Sequence, residues 1–571
     1  MPATWKNRLY FGDNLAVLQE HVPDESVDLV YLDPPFNSAA TYNVLFKEAT
    51  GRESSAQITA FEDTWHWGME AETAYHDVVT AGGKLADLIQ ALRSFLGQND
   101  MMAYLTMMAI RLRQLHRVLK PTGSVYLHCD PTASHYLKLV LDAIFGPTKF
   151  RTEIIWKRSS AHSDTRQGRK QHGRIHDVLL FYTKGDEWQW NPMHTPYDPE
   201  YVAERFRNAD AHGRYKDADL TAAKPGGDTS YEWRVKRRSR GEWTHDLSNE
   251  WESPKDGWEY RTVRPSPGRY WAYSRTNMIA FAEDDRLHYF SSGMPRLKQY
   301  AEDLPGIGLQ DLWSDIPPIN SQAQERLGYP TQKPEALLER VLTTSSNEGE
   351  IVLDPFCGCG TTISVAERLH RRWIGIDVTH LAISLIRHRL QSAFGSKLAP
   401  YEVVGDPKDL EGARALAEVN RHQFEWWALS LVEARPAQDK KKGADAGVDG
   451  YVYFFDDKSG QAKKIAMQVK SGHVGASQIR DLKGAIEREK AAIGGFITLE
   501  EPTAPMKKEA ASAGFYVPEN FPRMKCPRVQ ILTIEELLAG KQLDYPRVAP
   551  AGTFKAAEPT PKAGKTPTRL F

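Results

Sequence analysis

Short apolar runs, VDLVYLD (27–33), SVYLHCD (124–130), EIVLD (350–354) and WIGID (373–377), alternate with helical stripes, and this rhythm restricts the chain to an α/β sheet with buried strands. The stripe Leu105, Met108, Leu112, Leu115, Leu119 follows 3,4,3,4 spacing and predicts one apolar helix face packed on that sheet. Residues 335–400 then supply a helix (EALLERVL), a strand, a helix (TTISVAERLH), a strand and a helix (THLAISLIRHRL). The pattern stops at about 155 and resumes at about 325, as if a second element had been inserted. At about 150 residues per domain, 571 residues predict three to four domains.

The interruption has its own composition. Nine of the fifteen tryptophans lie between 151 and 313, seven Arg/Lys face two Asp/Glu between 151 and 175, and WRVKRRSRGEW (233–243) carries five basic residues between tryptophans. Cations interleaved with aromatics suit phosphate contact and base stacking; a solvated surface whose tryptophans fill small cores has the same composition. Local basicity is the only route to a polyanion here, because 73 Lys/Arg balance 74 Asp/Glu to a net charge of −1. From about 415 a third pattern begins: a helix (QFEWWALSLVEA), a polar stretch (KKKGADAGVDG), then strands YVYFF, KIAMQVK and GGFITL with helices between. The end, 546–571, is rich in Pro, Ala, Thr and Lys and reads as a disordered basic tail. With no apolar run near 18 residues, no signal-peptide pattern and four scattered cysteines, the expectation is a cytoplasmic protein without a membrane partner. Cys357 and Cys359 form a CxC without a second Cys/His pair nearby, which reads as small residues in a tight loop.

Asp33-Pro34-Pro35-Phe36 follows directly on an apolar strand, where open α/β sheets bind ligands. The prolines fix φ and remove N–H donors, leaving the Asp33 carboxylate and Pro34 carbonyl as acceptors beside the Phe36 ring. An aromatic amine is a poor nucleophile because its lone pair is delocalised. Two acceptors gripping its hydrogens would hold the nitrogen toward an electrophile. A second strand ends in Asp354-Pro355-Phe356-Cys357-Gly358-Cys359-Gly360-Thr361-Thr362, whose glycines predict close backbone approach to a ligand. Asp377 ends the next strand 17 residues beyond Gly360, at the place of a ribose-binding carboxylate. No third glycine and no GK[ST] follow, so an adenosine-bearing ligand without phosphates is expected.

In these motifs and their order the chain resembles the β-class amino-methyltransferases of DNA: DPPF at 33, the basic insert, YPTQKPEALLERVL at 329–342, DPFCGCGTT at 354 and GID at 375. The resemblance spans about residues 7–395. It implies S-adenosylmethionine as cofactor, double-stranded DNA as partner, and a base flipped onto Asp33, Pro34, Pro35 and Phe36. It also implies a cofactor site shaped by Asp354, Phe356, Gly358, Gly360, Asp377 and Lys333, with Asp13 of YFGDN near the adenine. The leading Asp favours adenine N6; Ser in that place would favour cytosine N4. A C5-cytosine enzyme would need a nucleophilic Cys in a Pro-Cys pair, and that pair is absent.

In the C-terminal part Asp449 lies in GVDG, and Gln468 and Lys470 share one face of the strand MQVK. A carboxylate, a carbonyl acceptor and a lysine at one sheet edge can hold Mg²⁺ and polarise a water against a phosphodiester; a surface strand with a solvated lysine is the plainer reading. QFE, GVDG, QVK and the following segments to about 517 resemble an Mrr-type restriction endonuclease domain of the PD-(D/E)xK fold. That resemblance implies Glu425 as the helix acid, Asp449 and Gln468 as metal ligands and Lys470 as the catalytic lysine. It also allows a module that only binds DNA.

The expected architecture is therefore a Rossmann-like S-adenosylmethionine-dependent α/β methyltransferase over 1–400 with a target-recognition insert at 155–325, an α/β nuclease-like domain over 415–540, and the tail. The expected function is adenine N6 methylation of DNA in a restriction-modification or defence setting. The alternatives are a solitary methyltransferase with a DNA-binding C-terminal domain, or N4-cytosine methylation. The oligomeric state, a homodimer included, is not set by the sequence.

Overall fold

Strands whose residues are apolar on both faces must be covered on both faces, and Val27–Leu32 is buried at all six positions. The computed structural model describes residues 5–35, 41–47, 53–62, 65–159, 172–239, 241–247, 257–320, 323, 325–327, 329, 331–437, 447–456, 462–518 and 523–546. Its largest sheet has nine strands: β1 (Asn7–Phe11), β2 (Val27–Leu32), β3 (Leu119–Cys129), β4 (Phe150–Lys157), β5 (His176–Thr183), β6 (Leu312–Trp313), β7 (Ile351–Asp354), β8 (Arg372–Asp377) and β9 (Tyr401–Val404). They lie in the order β6-β4-β5-β3-β2-β7-β8-β1-β9. From β3 to β9 all neighbours are parallel, and β5 runs antiparallel between β3 and β4.

Six helices matter for the site: α1 (Asn14–His21), α2 (Met69–Ala81), α3 (Asp100–Val118), α4 (Glu335–Ser345), α5 (Thr361–Arg368) and α6 (His380–Phe394). The stripe predicted around residue 110 lies on α3, which starts where the Asn99 side chain accepts from Met102 N at 2.9 Å. Leu105, Met108, Leu112 and Leu115 are fully buried in the core between α3 and the sheet. Leu119, expected to end the stripe, is instead the first residue of β3.

A second compact unit spans Pro192–Gln310, narrower than the expected insert of 155–325. The difference has a plain cause: β4, β5 and β6 are themselves strands of the large sheet. Within this unit Trp233–Arg238 pairs antiparallel with Thr244–His245 and Trp258–Val263. Alternation sends Trp233 and Val235 into a core shared with Trp243 and Trp271. Several of the basic residues are neutralised inside the unit, Arg234 by Asp246 at 3.0 Å and Arg237 by Glu259 at 2.6 Å. Arg238 is exposed, with its guanidinium 5.4 Å from the Trp258 ring centre.

The C-terminal part forms a separate mixed sheet beside helix α7 (Arg421–Ser430). Its strands are β10 (Arg435–Pro436), β11 (Gly450–Phe454), β12 (Lys463–Lys470), β13 (Ile493–Thr498) and β14 (Val529–Thr533), in that order. β11 and β12 are antiparallel, and β12, β13 and β14 parallel. Phe424 and Trp427 of α7 enter its core with Met467 and Val469. The lysine run at 440–442 and the tail from 547 onward lie outside the described residues. No helix among the described residues is long and apolar enough to cross a membrane.

Leu112→Ala removes a fully buried side chain from α3. It is expected to cost about 2–5 kcal/mol, read as an earlier urea unfolding transition of the parallel-sheet core.

Candidate functional site

Because β2, β7, β8 and β1 are adjacent and parallel, the four aspartates that follow or end them gather at one edge of the sheet. Asp33, Asp354, Asp377 and Asp13 line one cleft of about 840 Å³, together with Pro34, Pro35, Phe356, Gly358 and Lys333. Two sequence-predicted residues stand apart. Phe36 lies outside the described residues. Gly360 does not line the cleft: it has φ +73°, and a Cβ there would meet Ile386 Cγ1 at 2.7 Å. Its glycine is required by the close approach of α6, not by a ligand as the sequence suggested.

Lys333 was expected to shape the cofactor part of the cleft, yet its ammonium donates to Asp33 Oδ2. Asp33 Oδ1 is buried and has no hydrogen-bond partner among the described residues. Pro34 and Pro35 bring no N–H donors to satisfy it. An acceptor oriented by a cation on one oxygen and left open on the other is suited to a donor that arrives with a ligand.

Asp354 Oδ1 accepts from Phe356 N at 3.0 Å, which turns the chain from β7 into the glycine loop. Asp377 Oδ2 accepts from Gly358 N at 2.9 Å, and Oδ1 accepts from Thr379 N and Oγ1 at 2.9 and 2.8 Å. The loops thus take most of the acceptor positions of this carboxylate, with Val378 N a further backbone donor to it, so the two open positions expected for ribose hydroxyls are not both present. Burial, followed by the charges of Asp33 and Asp377, pushes the Asp354 carboxyl up to about 7. Burial likewise outweighs the hydrogen bonds of Asp377 and pushes it up to about 6. The cleft is therefore a crowded acidic site.

Other determinants carry no motif. Arg111 on α3 donates to Asp13 at 2.7 Å and to Asn14 at 2.6 Å, and Asn14 donates to Pro355 O at 2.8 Å. One buried guanidinium thereby ties the start of α1 to the DPF turn. Arg389 on α6 pairs with the buried Glu335 at 2.7 Å and donates to Cys359 O at 3.2 Å, fixing the helix that follows Lys333 against the glycine loop. Only the charges' burial, invisible in the sequence, distinguishes these arginines from surface ones.

In the C-terminal part Asp449 Oδ2 accepts from Val469 N at 2.7 Å and stands 3.7 Å from Lys470 Nζ. Burial and then the charge of Asp449 raise the Glu425 carboxyl, so the helix acid faces the same site. Gln468 is buried, with Oε1 lacking a hydrogen-bond partner among the described residues. Helix α7 also has a second face. Gln423 Oε1 accepts from His380 N at 3.2 Å, and Trp426 packs on the cluster of Tyr329, Cys359, Leu381 and Leu385. Tyr329 and Cys359 line the acidic cleft from the inside.

Residues 27–387 match the family described as DNA methylase (N6_N4_Mtase), which is more than half of the chain. The chain belongs to this family. The methylase is 28% identical over 424 residues to the type II methyltransferase M.EcaI of Enterobacter cloacae, covering 73% of this chain and 76% of that protein. It is 23% identical over 382 residues to the DNA adenine methyltransferase YhdJ of Escherichia coli K12, covering 67% of this chain and 82% of that one. The solved structure of M1.HpyAVI with SAM aligns at 14% identity and TM-score 0.30, covering 67% of this chain and 98% of that one. Residues 421–539 of the methylase match the family NACHT-associated inactive Restriction Endonuclease 1. The endonuclease likeness of this part thus has support, through a family described as inactive, not through the Mrr type that the sequence suggested.

Carboxyls raised from 3.8 to about 7 and about 6 favour the protonated state in the fold. Their contribution is complete below the ordinary value and lost as pH rises through the raised ones. The melting temperature of the ligand-free methylase is expected to fall between about pH 5 and pH 8. Asp354→Asn, which keeps the acceptor for Phe356 N, should flatten that slope and melt above wild type at the alkaline end in scanning calorimetry.

Proposed function

We propose that the methylase transfers a methyl group from S-adenosylmethionine to adenine N6 in double-stranded DNA. The observation that carries this reading is Asp33 Oδ1, buried beside two prolines without a hydrogen-bond partner among the described residues, in a cleft shared with the glycine loop. When bound, the cofactor supplies an electrophilic methyl on a cationic sulfur. The chain's residues fit it: Gly358 of the glycine loop and the carboxyls of Asp13 and Asp377 line one cleft, which offers backbone approach and oxygen acceptors to a hydroxyl-bearing ligand. Asp33 accepts from the target amine and aims its nitrogen, while Lys333 holds the carboxylate in place. The base reaches this depth only by leaving the duplex. Asp as the first letter of the motif favours adenine over cytosine. The unit at 192–310 supports a target-recognition role through its exposed cations and aromatics.

Asp33→Ala is expected to abolish methyl transfer while S-adenosylmethionine binding, followed by calorimetry, changes little. Sequencing modified bases in a methylation-free host distinguishes N6-methyladenine from N4-methylcytosine. A product at C5, or none from the wild type, would sink the reading.

A second activity is favoured by one observation at the other sheet. Gln468 Oε1 is buried without a hydrogen-bond partner among the described residues, on the strand that carries Lys470, opposite Asp449. Asp449, Gln468 and Glu425 fit a Mg²⁺ ion, which when bound would polarise a water for phosphodiester cleavage. The expected outcome is Mg²⁺-dependent nicking or cutting of unmethylated or foreign-modified DNA, lost in Lys470→Ala with methylation intact. DNA binding without cleavage on any substrate would make this part a binding module, in line with the inactive family it matches.

A further inference from the structure

Methylation of an amine by a sulfonium releases a proton, and Asp33, already paired with Lys333, is a poor place to leave it. A second polar chain begins in the same cleft. Tyr31 lines the cleft two residues before Asp33, and its hydroxyl lies 2.8 Å from His128 Nδ1. His128 Nε2 lies 3.3 Å from Asp177 Oδ2, and Asp177 Oδ1 lies 3.2 Å from Arg158 Nε. Tyr31, His128 and Asp177 are 2%, 0% and 2% exposed. The chain crosses the sheet from β2 through β3 to β5, with the Trp156 ring set edge-on to the imidazole at 5.8 Å. Three polar side chains in a strand interior, aligned from a ligand cleft to a half-exposed arginine, demand more than packing.

A relay through these groups requires one set of proton positions. Burial alone would raise the Asp177 carboxyl, but its hydrogen bond and charge interaction with His128, then the cations of Lys333 and Arg158, hold it below the ordinary value, so it is an acceptor. Between that acceptor and Tyr31, a neutral His128 ring would carry its hydrogen on Nε2 and accept at Nδ1. In that tautomer Tyr31 O–H donates to His128, leaving lone pairs on the Tyr31 oxygen. Burial, then the charges of Asp33, Asp354 and Asp177, keep this hydroxyl protonated at rest.

We propose that Tyr31, His128 and Asp177 form a proton relay that removes the proton lost by the target amine as the methyl group arrives. The amine lone pair forms the N–C bond, and the pair of the breaking S–C bond returns to sulfur. One amine proton passes to the Tyr31 oxygen, and the Tyr31 proton passes to His128 Nδ1. The resulting imidazolium keeps its Nε2–H on Asp177. The positive charge that entered on sulfur thus leaves on His128, where a buried carboxylate stabilises it. The relay rests on the amine-methyltransferase reading but not on the choice between adenine and cytosine.

The test uses the full-length protein with Tyr31→Phe and His128→Asn. Tyr31→Phe is expected to slow single-turnover methyl transfer about 100-fold or more, within the range of general base catalysis. Its affinities for S-adenosylmethionine and for DNA should stay within about two-fold of wild type, on the expectation that it removes a transition-state interaction only. The double variant should be no slower than the slower single one, and the solvent deuterium isotope effect of the wild type should shrink in Tyr31→Phe. Independently of turnover, ¹⁵N-histidine spectra of the resting protein, with His128→Asn to assign the signal, should show the Nε2–H tautomer. If His128→Asn does not fold, Tyr31→Phe, which deletes one oxygen, decides alone. Wild-type transfer rates in Tyr31→Phe, with Asp33→Ala inactive, would overturn the relay and leave the methyltransferase reading standing. The Nδ1–H tautomer would overturn it as well, and a wild type without methyl transfer would remove the reading beneath it.

Discussion

The ammonium of Lys333 on the carboxylate of Asp33 joins segments 300 residues apart, and the cleft depends on it. Asp33 stands near Asp354 and Asp377, and three carboxyls around one cavity repel one another. A single well-placed cation lets the first remain an acceptor while burial drives the other two toward protonation. That cation is itself held: α4 begins two residues after Lys333 with Glu335, which is buried against Arg389 and also paired with Arg368 at 2.7 Å. Losing one member of a buried ion pair costs about 3–5 kcal/mol. The position of Lys333, and through it the open oxygen of Asp33, therefore rests on contacts made on α5 and α6.

The same electrostatics limit the charge of the cleft: Asp33 and Asp13 are paired with Lys333 and Arg111, and Asp354 and Asp377 are pushed up to about 7 and about 6. The basic ribbon at 233–238 belongs to a different compact unit, and part of its charge is spent on Asp246 and Glu259.

The sheet and most of the cleft were legible in the sequence because apolar strands ending in aspartate state both the fold and the location of the ligand. Asp33-Pro34-Pro35, DPFCGCGTT and GID lie at neighbouring strand ends for this reason. What escaped was set by distant neighbours. Arg111 looks like any arginine on a helix until Asp13 and Asn14 meet it. Tyr31 and His128 look like core residues of apolar strands, and only the pairing of β3 with both β2 and β5 aligns them with Asp177. Gly360 was expected to allow close approach to a ligand, but its crowding neighbour is Ile386. The limits of the insert differ because β4, with its charged residues and Trp156, and the apolar β5 lie within the basic, tryptophan-rich stretch of sequence while pairing with the sheet.

Helix α7 packs against both the methylase sheet's surroundings and the C-terminal sheet. Its Gln423 caps the turn after Asp377, its Trp426 covers the back of Tyr329 and Cys359, and its Glu425 turns to the other sheet. A gene truncated before residue 421 would encode a methylase with an uncapped His380 N–H and an apolar patch bared behind its cleft. Such a helix couples the packing of the two halves, whatever the C-terminal part's own chemistry.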